Sequence, residues 1–313
     1  MKDILFIAGG LSFLYFGGDL LISGCVRVAR HFRLPHFIIG ATIMGFGTST
    51  PELCVSMLAA INGSPAMSVG NVLGSNVANI GLVLGLTALW APMTIEKSRL
   101  RRETPPLLLA SALLLWVAWD LHISRWEGFI MAAGIILYVG RALVRREDPH
   151  PDTEAAEEGY FPQAGFRVQF LLIGLGLVGL VLGAQWMVTG SVNLARAFGI
   201  SEWLIGITIV AVGTSLPEIV SSTLSAIRGH GEMALGNVFG SNIFNILMVL
   251  GSTALVQPLK IEEPIQPDLL YLGGFTVLLL FLIRWEHTLS KRDGAVLLAG
   301  YGCYIGLKIG GWL

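Results

Sequence analysis

The sequence predicts an all-α polytopic membrane protein: ten transmembrane helices arranged as two inverted five-helix repeats, with helices 2 and 7 broken. Three observations predict it. The chain is 54% apolar and only 13% charged, about half the charged share of soluble domains. Its charges fall between apolar runs of about the length that crosses a bilayer. The chain also matches itself at a shift of 166 residues: Gly40 to Gly85 aligns with Gly206 to Gly251 without a gap, and 25 of 46 positions are identical.

The apolar runs lie near 4–26, 36–61, 66–90, 105–121, 126–144, 167–195, 202–227, 232–256, 268–284 and 293–311. The first is read as a retained span rather than a signal peptide, because Lys2 is followed by Asp3 and the apolar stretch is long. Asp19 lies in its inner part, near Arg27 and Arg30. Spans 2 and 7 carry Gly47-Thr48-Ser49-Thr50-Pro51-Glu52 and Gly213-Thr214-Ser215-Leu216-Pro217-Glu218. Each places an acid at membrane depth, where a carboxylate is costly and marks function by default. Pro51 cannot donate to the carbonyl of Gly47, so the helix is interrupted and oxygens around Gly45 to Gly47 are freed. Such backbone is tolerated at that depth only where it lines a cavity or site. Thr48, Glu52 and Ser56 share one helix face, as do Thr214, Glu218 and Ser222.

Spans 3 and 8 repeat a second motif, Gly-Asn-Val-x-Gly-Ser-Asn-x-x-Asn-Ile, from Gly70 and from Gly236. Asn71, Ser75 and Asn79 fall on one face, and so do Asn237, Ser241 and Asn245. The interleaved glycines permit close helix approach. Arg99 to Arg102 read as a charge anchor before span 4. Residues 145–166, with six acids and three prolines, read as a solvated acidic linker. It separates a first repeat at 1–144 (motif region 40–85) from a second at 167–313 (motif region 206–251). Cys25, Cys54 and Cys303 are scattered in apolar segments and read as small core residues. Trp90, Trp126, Trp203 and Trp285 sit at span ends, as an interfacial belt would.

Lysines and arginines set the orientation. Fifteen of the 20 fall in the junctions after spans 1, 3, 5, 7 and 9, and five (Lys2, Arg125, Arg196, Lys260, Lys308) on the opposite side. The basic side is cytoplasmic, which puts the linker inside and both termini outside. Each half has five spans, so span 2 enters from inside and span 7 from outside. Inverted repeats of this kind build secondary transporters with a midplane site at the repeat interface. A symmetric channel is the competing use.

Two carboxylates, hydroxyls, amide oxygens and freed carbonyls make an all-oxygen set. That suits a hard cation such as Ca2+, which takes six to eight such ligands. No histidine or cysteine accompanies the acids, which excludes zinc and copper sites. Both glutamates ionised give a charge that one Ca2+ or two Na+ would neutralise. A lone serine or threonine in a membrane helix usually bonds to its own helix, so the hydroxyls carry weight only as a set. Glu52 and Glu218 have no basic partner in their segments and are read as functional.

At these residues the chain resembles the calcium/cation antiporter superfamily, most closely its prokaryotic sodium/calcium exchanger branch. The resemblance covers the ten-span plan and both repeat motifs. It implies ion ligation by Glu52 and Glu218, with Thr48, Ser49 and Ser75 in one half and Thr214, Ser215 and Ser241 in the other. It further implies carbonyl ligands at Gly45 and Ala211, with Asn79 and Asn245 completing the site. Members of the branch often carry Asp where this chain has Asn245. The amide can still ligate, but one ionisable group is gone, which bears on stoichiometry and on proton participation.

The expected function is therefore exchange of Ca2+ for Na+ across the cell membrane by alternating access, with spans 1 and 6 sliding past the core as the resemblance implies. Ca2+/H+ antiport on the same fold is the alternative, and a cation channel a lesser one. An intramembrane hydrolase would need a base beside Ser49 or Ser215, and all six histidines flank the spans. The chain is expected to be no enzyme and to hold no permanent cofactor. Its expected partners are Ca2+, monovalent cations and the lipid bilayer, with no nucleic acid or protein implied.

Overall fold

The computed structural model describes residues 2–144, 166–199 and 211–310. The first half contains α1 (Lys2–Phe32), α2 (His36–Ile39), a π-helical turn π1 (Gly40–Met44), α3 (Gly45–Thr48), α4 (Thr50–Ile61), α5 (Pro65–Ala78), π2 (Asn79–Val83), α6 (Leu84–Trp90), α7 (Lys97–Val117) and α8 (Arg125–Val144). The second contains α9 (Phe166–Ala197), α10 (Ala211–Thr214), α11 (Leu216–Ile227), α12 (Gly231–Phe244), π3 (Asn245–Leu250), α13 (Gly251–Val256), α14 (Gln266–Glu286) and α15 (Lys291–Ile309). Among the described residues, five helical stretches are long and apolar enough to cross a membrane: Lys2–Phe32, Pro65–Trp90, Arg167–Ala197, Gly231–Val256 and Gln266–Arg284. The linker expected at 145–166, Trp203 and the 202–210 part of the seventh interval fall outside the described residues, apart from Phe166 at the start of α9.

The predicted breaks are present. Ser49 (φ −86°, ψ 4°) separates α3 from α4, and Ser215 (φ −90°, ψ 3°) separates α10 from α11. In each case the proline falls in the first turn of the following helix, where its missing N–H costs nothing. The two halves thus kink at equivalent residues and by the same backbone conformation.

One boundary differs from the sequence reading. The fourth interval was expected at 105–121, but α7 begins at Lys97 and runs through Pro105 and Pro106. Burial of Leu100 and the ion pair of Arg99 with Glu232, at the start of α12, hold this early turn against the bundle. Cys25 is buried as a core residue, whereas Cys54 and Cys303 are exposed. Trp90 and Trp126 are exposed at helix ends.

Among the described residues, four two-residue strands tie the halves together. β1 (Met93–Thr94) pairs antiparallel with β4 (Thr288–Leu289), and β2 (His122–Ile123) with β3 (Leu259–Lys260). The 166-residue shift maps β1 onto β3 and β2 onto β4. Each ribbon therefore joins one half to the other, and the two ribbons are images of each other.

The apolar interior has two parts. The larger cluster runs from Phe37 through α5 to α8 and α12 to α15. The smaller lies where α1 and α9 meet π1, around Leu21, Ile22, Ile39, Met44, Ile173 and Leu180. α1 and α9 pack antiparallel at very close range. A Cβ on Gly17 would stand 2.7 Å from the backbone N of Leu180, and one on Gly176 2.6 Å from that of Leu21. Small residues allow this approach, which replaces the hydrophobic drive that lipid does not supply. The pair touches α11 where Gly18 faces Val220 and Leu224. Asp19, expected near Arg27 and Arg30, forms an ion pair with Arg228 just beyond α11.

The halves meet most tightly where α12 crosses α2 and π1. A Cβ on Gly236 or Gly240 would lie 2.2 Å from the carbonyl oxygen of Phe37 or Ala41. Backbone cannot yield there as a side-chain tip can, so Gly236→Ala and Gly240→Ala are each predicted to destabilise by about 1–3 kcal/mol. Gly273→Ala, in α14 with nothing within 4 Å of its Cβ position, is predicted to be neutral or stabilising by up to about 1 kcal/mol. Thermal unfolding of the three variants in one detergent checks the contrast.

Candidate cation site

The breaks bring Glu52 and Glu218 to one buried locus. Glu52 starts α4, Glu218 starts α11, and both are about 1–2% exposed, so neither carboxylate reaches solvent. They are close enough to repel electrostatically, and Thr48 lies beside Glu218. α4 packs on π3, which begins at Asn245, and α11 packs on π2, which begins at Asn79. The motif residues of each half thus face those of the other. Ser49, Ser75, Asn79, Ser215, Ser241 and Asn245 are all buried. Thr214 is part-buried at the end of α10, and Ala211 opens the same short helix.

Symmetric hydrogen bonds hold the acid-bearing helices. Asn71 donates to Ser56 Oγ at 2.9 Å, and its repeat mate Asn237 donates to Ser222 Oγ at 2.9 Å. Asn237 also donates to Ser221 Oγ at 3.1 Å. Ser56 and Ser222, on the glutamate faces by sequence, therefore act as braces. Asn237 Oδ1 in turn accepts from Thr48 Oγ1 at 3.4 Å. Thr48 Oγ1 lies 3.4 Å from Ser241 Oγ, and Ser241 Oγ 3.5 Å from the Gly45 carbonyl. That carbonyl also accepts from Ser49 N–H at 3.1 Å. The Gly45 carbonyl, expected as a freed ligand, is thus beside Ser241 and already engaged, because the helix continues through α3 and breaks only after it.

A second symmetric pair spans the halves. Asn79 Nδ2 donates to Asn242 Oδ1 at 3.4 Å, and Asn245 Nδ2 to Asn76 Oδ1 at 3.2 Å. The sequence reading did not single out Asn76 and Asn242. The 166-residue shift, which superposes them as identical polar residues inside apolar spans, was the signal available. Nor did it foresee the π-helical turns opening at Asn79 and Asn245. Such bulges displace the backbone by one residue within a continuous helix and recur at functional sites.

What the network leaves over is most informative. Among the described residues, Ser49 Oγ, Glu52 Oε2, both carboxylate oxygens of Glu218 and Asn245 Oδ1 are buried without a hydrogen-bond partner. Buried polar groups are ordinarily satisfied, and an unpaired buried carboxylate is especially costly. The four residues that hold these unpaired oxygens are ones the sequence pointed to as ligands, and beside them the side-chain nitrogens of Asn76 and Asn242 are also buried without a partner among the described residues. A bound cation would satisfy the oxygens, the carboxylates above all. Oxygen-only ligation fits a hard ion of the Ca2+ or Na+ kind.

Comparison with known proteins places the chain among transporters. The sodium/calcium exchanger protein family profile matches residues 2–144 and 168–310. The putative antiporter CaxA of Alkalimonas amylolytica is 35% identical over 305 residues, covering 95% of both chains. The sodium/calcium exchanger MaX1 of Methanosarcina acetivorans is 30% identical over 343 residues, covering 97% of both. Among solved structures, the sodium-calcium exchanger NCX_Mj superposes with a TM-score of 0.84 at 33% identity, covering 98% of each chain.

The braces and the unpaired oxygens differ in what their removal should do. Asn237→Ala removes the bonds to Ser221, Ser222 and Thr48 in a dry interior; Thr48 and Ser221 keep bonds to the carbonyls of Met44 and Glu218, while Ser222 loses the amide donor that its hydroxyl accepts from. It is predicted to lower stability by about 1–3 kcal/mol, read as a lower melting temperature with or without added Ca2+.

Proposed function

Because the chain belongs to the sodium/calcium exchanger protein family, we propose that it exchanges Ca2+ for Na+ by alternating access, both ions using the oxygen site between Glu52 and Glu218. The observation that carries this is the set of buried oxygens with no partner among the described residues. Ligation is by Glu52, Glu218, Ser49 and Asn245 first. Thr48, Ser75, Asn79, Thr214, Ser215, Ser241 and the carbonyls of Gly45 and Ala211 complete the shell.

Two ionised glutamates bring a charge that one Ca2+ or two Na+ balance. Shared ligands then make the two ions compete, and competition for one site is the minimum that exchange requires. Sodium is favoured as counter-ion because MaX1 and NCX_Mj are named as sodium/calcium exchangers. Asn245 is in keeping with this, since it offers an oxygen and no proton. Ca2+/H+ antiport is the alternative reading.

Access switches by movement of the α1/α9 pair along the rest. The separate apolar cluster at that seam supports this, as does the close glycine packing that keeps the pair together. The protein lies in the cell membrane with both termini outside and the 145–166 linker in the cytoplasm. The ribbons are in keeping with the span order behind that orientation, because β1 and β4 pair across two junctions the charge count puts on one side, and β2 and β3 across two it puts on the other. Functionally the chain divides into repeats at 1–144 and 167–313.

Glu52→Gln and Glu218→Gln are each predicted to reduce Ca2+ flux by roughly a hundredfold or more, the loss expected when one member of a buried charge set is removed. Without Ca2+ the same variants should melt no lower than the parent, because each relieves an uncompensated buried charge. Transport at the parental rate in both would overturn the site.

Ca2+ uptake into proteoliposomes under an imposed Na+ gradient tests the counter-ion. Uptake should follow the Na+ gradient and persist when a proton ionophore is added. Uptake that tracks a pH gradient and ignores Na+ would establish proton antiport instead.

A further inference from the structure

A crevice of about 590 Å³ opens at the seam between the α1/α9 pair and the bundle. Its walls include Val28 and Phe32 of α1, Thr42 of π1, Phe46 of α3, Val139 of α8 and Phe170 of α9. The wall side chains are apolar except Thr42, whose hydroxyl is already spent on the Ile38 carbonyl at 2.7 Å. Phe32, Phe46 and Phe170 are about two-fifths exposed and form its rim, while Val28 is 1% exposed. Apolar walls give water in such a space no hydrogen-bond partners, and an empty one forfeits dispersion contacts along its whole lining. A hydrocarbon chain is the occupant that the surroundings supply.

A second observation gives that chain a headgroup. Val28 lies about one turn from the end of α1, Val139 near the end of α8, and Phe170 one turn into α9, so three helix ends meet at one mouth. Each carries an exposed arginine at that level: Arg33 directly after α1, Arg141 in the last turn of α8 and Arg167 in the first turn of α9. Arg33 also sits between two wall residues, Phe32 and Leu34. Fixed cations above a hydrocarbon slot match an anionic amphiphile, and guanidinium groups suit phosphate through paired N–H donors.

We propose that this crevice is a binding site for an anionic phospholipid of the bilayer, one acyl chain in the slot and the phosphate among Arg33, Arg141 and Arg167. The chain rests on Phe46, between Gly45 and Gly47 of the broken helix, and on both members of the α1/α9 pair. A bound lipid therefore touches both sides of the seam and the segment next to the cation site. The site itself stands on the crevice and the arginines, and holds whether or not the transported ions are those proposed above.

The test is a lipid titration of the delipidated, detergent-solubilised protein by native mass spectrometry. Phosphatidylglycerol is compared with phosphatidylcholine of identical acyl chains. The parent should prefer phosphatidylglycerol, and each of Arg33→Gln, Arg141→Gln and Arg167→Gln should weaken that binding by about fivefold. Phosphatidylcholine binding should be unchanged in these variants. Val139→Trp, which fills the slot from α8, should lose both lipids. Equal binding of the two lipids by the parent overturns the proposal, and so does an anionic preference that survives removal of all three arginines. If Val139→Trp folds by size-exclusion and still binds phosphatidylglycerol, the acyl-chain seat is refuted. If it does not fold, the arginine series decides.

Discussion

Carboxylates without a partner in a dry interior are the constraint on which the rest of this structure depends. In hydrocarbon each unpaired polar atom costs several kcal/mol, and Glu52 and Glu218 bury carboxylate oxygens with no partner among the described residues. A chain that keeps such groups must supply something else to meet them. A positively charged ion is the partner we propose, and with it assigned the remaining features acquire reasons. The helices break at Ser49 and Ser215 so that the acids can begin new helices facing each other. The asparagine pairs commit the amide donors of Asn79 and Asn245 to the opposite half rather than to the acids.

The surrounding fold holds that geometry from both sides. Asn71 and Asn237 fasten the acid-bearing helices to their successors by equivalent bonds to Ser56 and Ser222. Asn76 and Asn242 reach across to the opposite half. The glycines of α12 let its backbone lie directly against α2 and π1, and the paired ribbons lock the loops. Against this rigid frame, α1 and α9 form a unit of their own, packed tightly on each other and joined to the bundle through a separate apolar cluster and the Asp19–Arg228 ion pair. A frame that fixes the buried oxygens beside a separately packed helix pair is what the proposed exchange of two ions at one site demands.

Much of this was legible in the sequence, because duplication doubles every signal. A single Gly-Thr-Ser-x-Pro-Glu would be a weak motif, whereas two copies in register define a site and predict the breaks that Ser49 and Ser215 show. The inverted arrangement followed from an odd number of spans per half. Other features were hidden for physical reasons. The π-helical turns at Asn79 and Asn245 are set by packing across halves, and hydrophobic periodicity does not report one extra residue in a turn. The roles of Asn76 and Asn242 depend on which face each helix turns to the other half. The early start of α7 rests on a long-range ion pair between Arg99 and Glu232. The engagement of the Gly45 carbonyl required knowing that the helix persists to Thr48 before it breaks.

The most direct measurement is anomalous diffraction from crystals of the protein grown with Ca2+, collected with and without excess Na+. The account predicts a peak between Glu52 and Glu218, with oxygens at about 2.3–2.6 Å that include Ser49 Oγ and Asn245 Oδ1, and its loss as Na+ is raised. A well-occupied Ca2+ peak elsewhere in the bundle, with the two glutamates left unliganded, would contradict it.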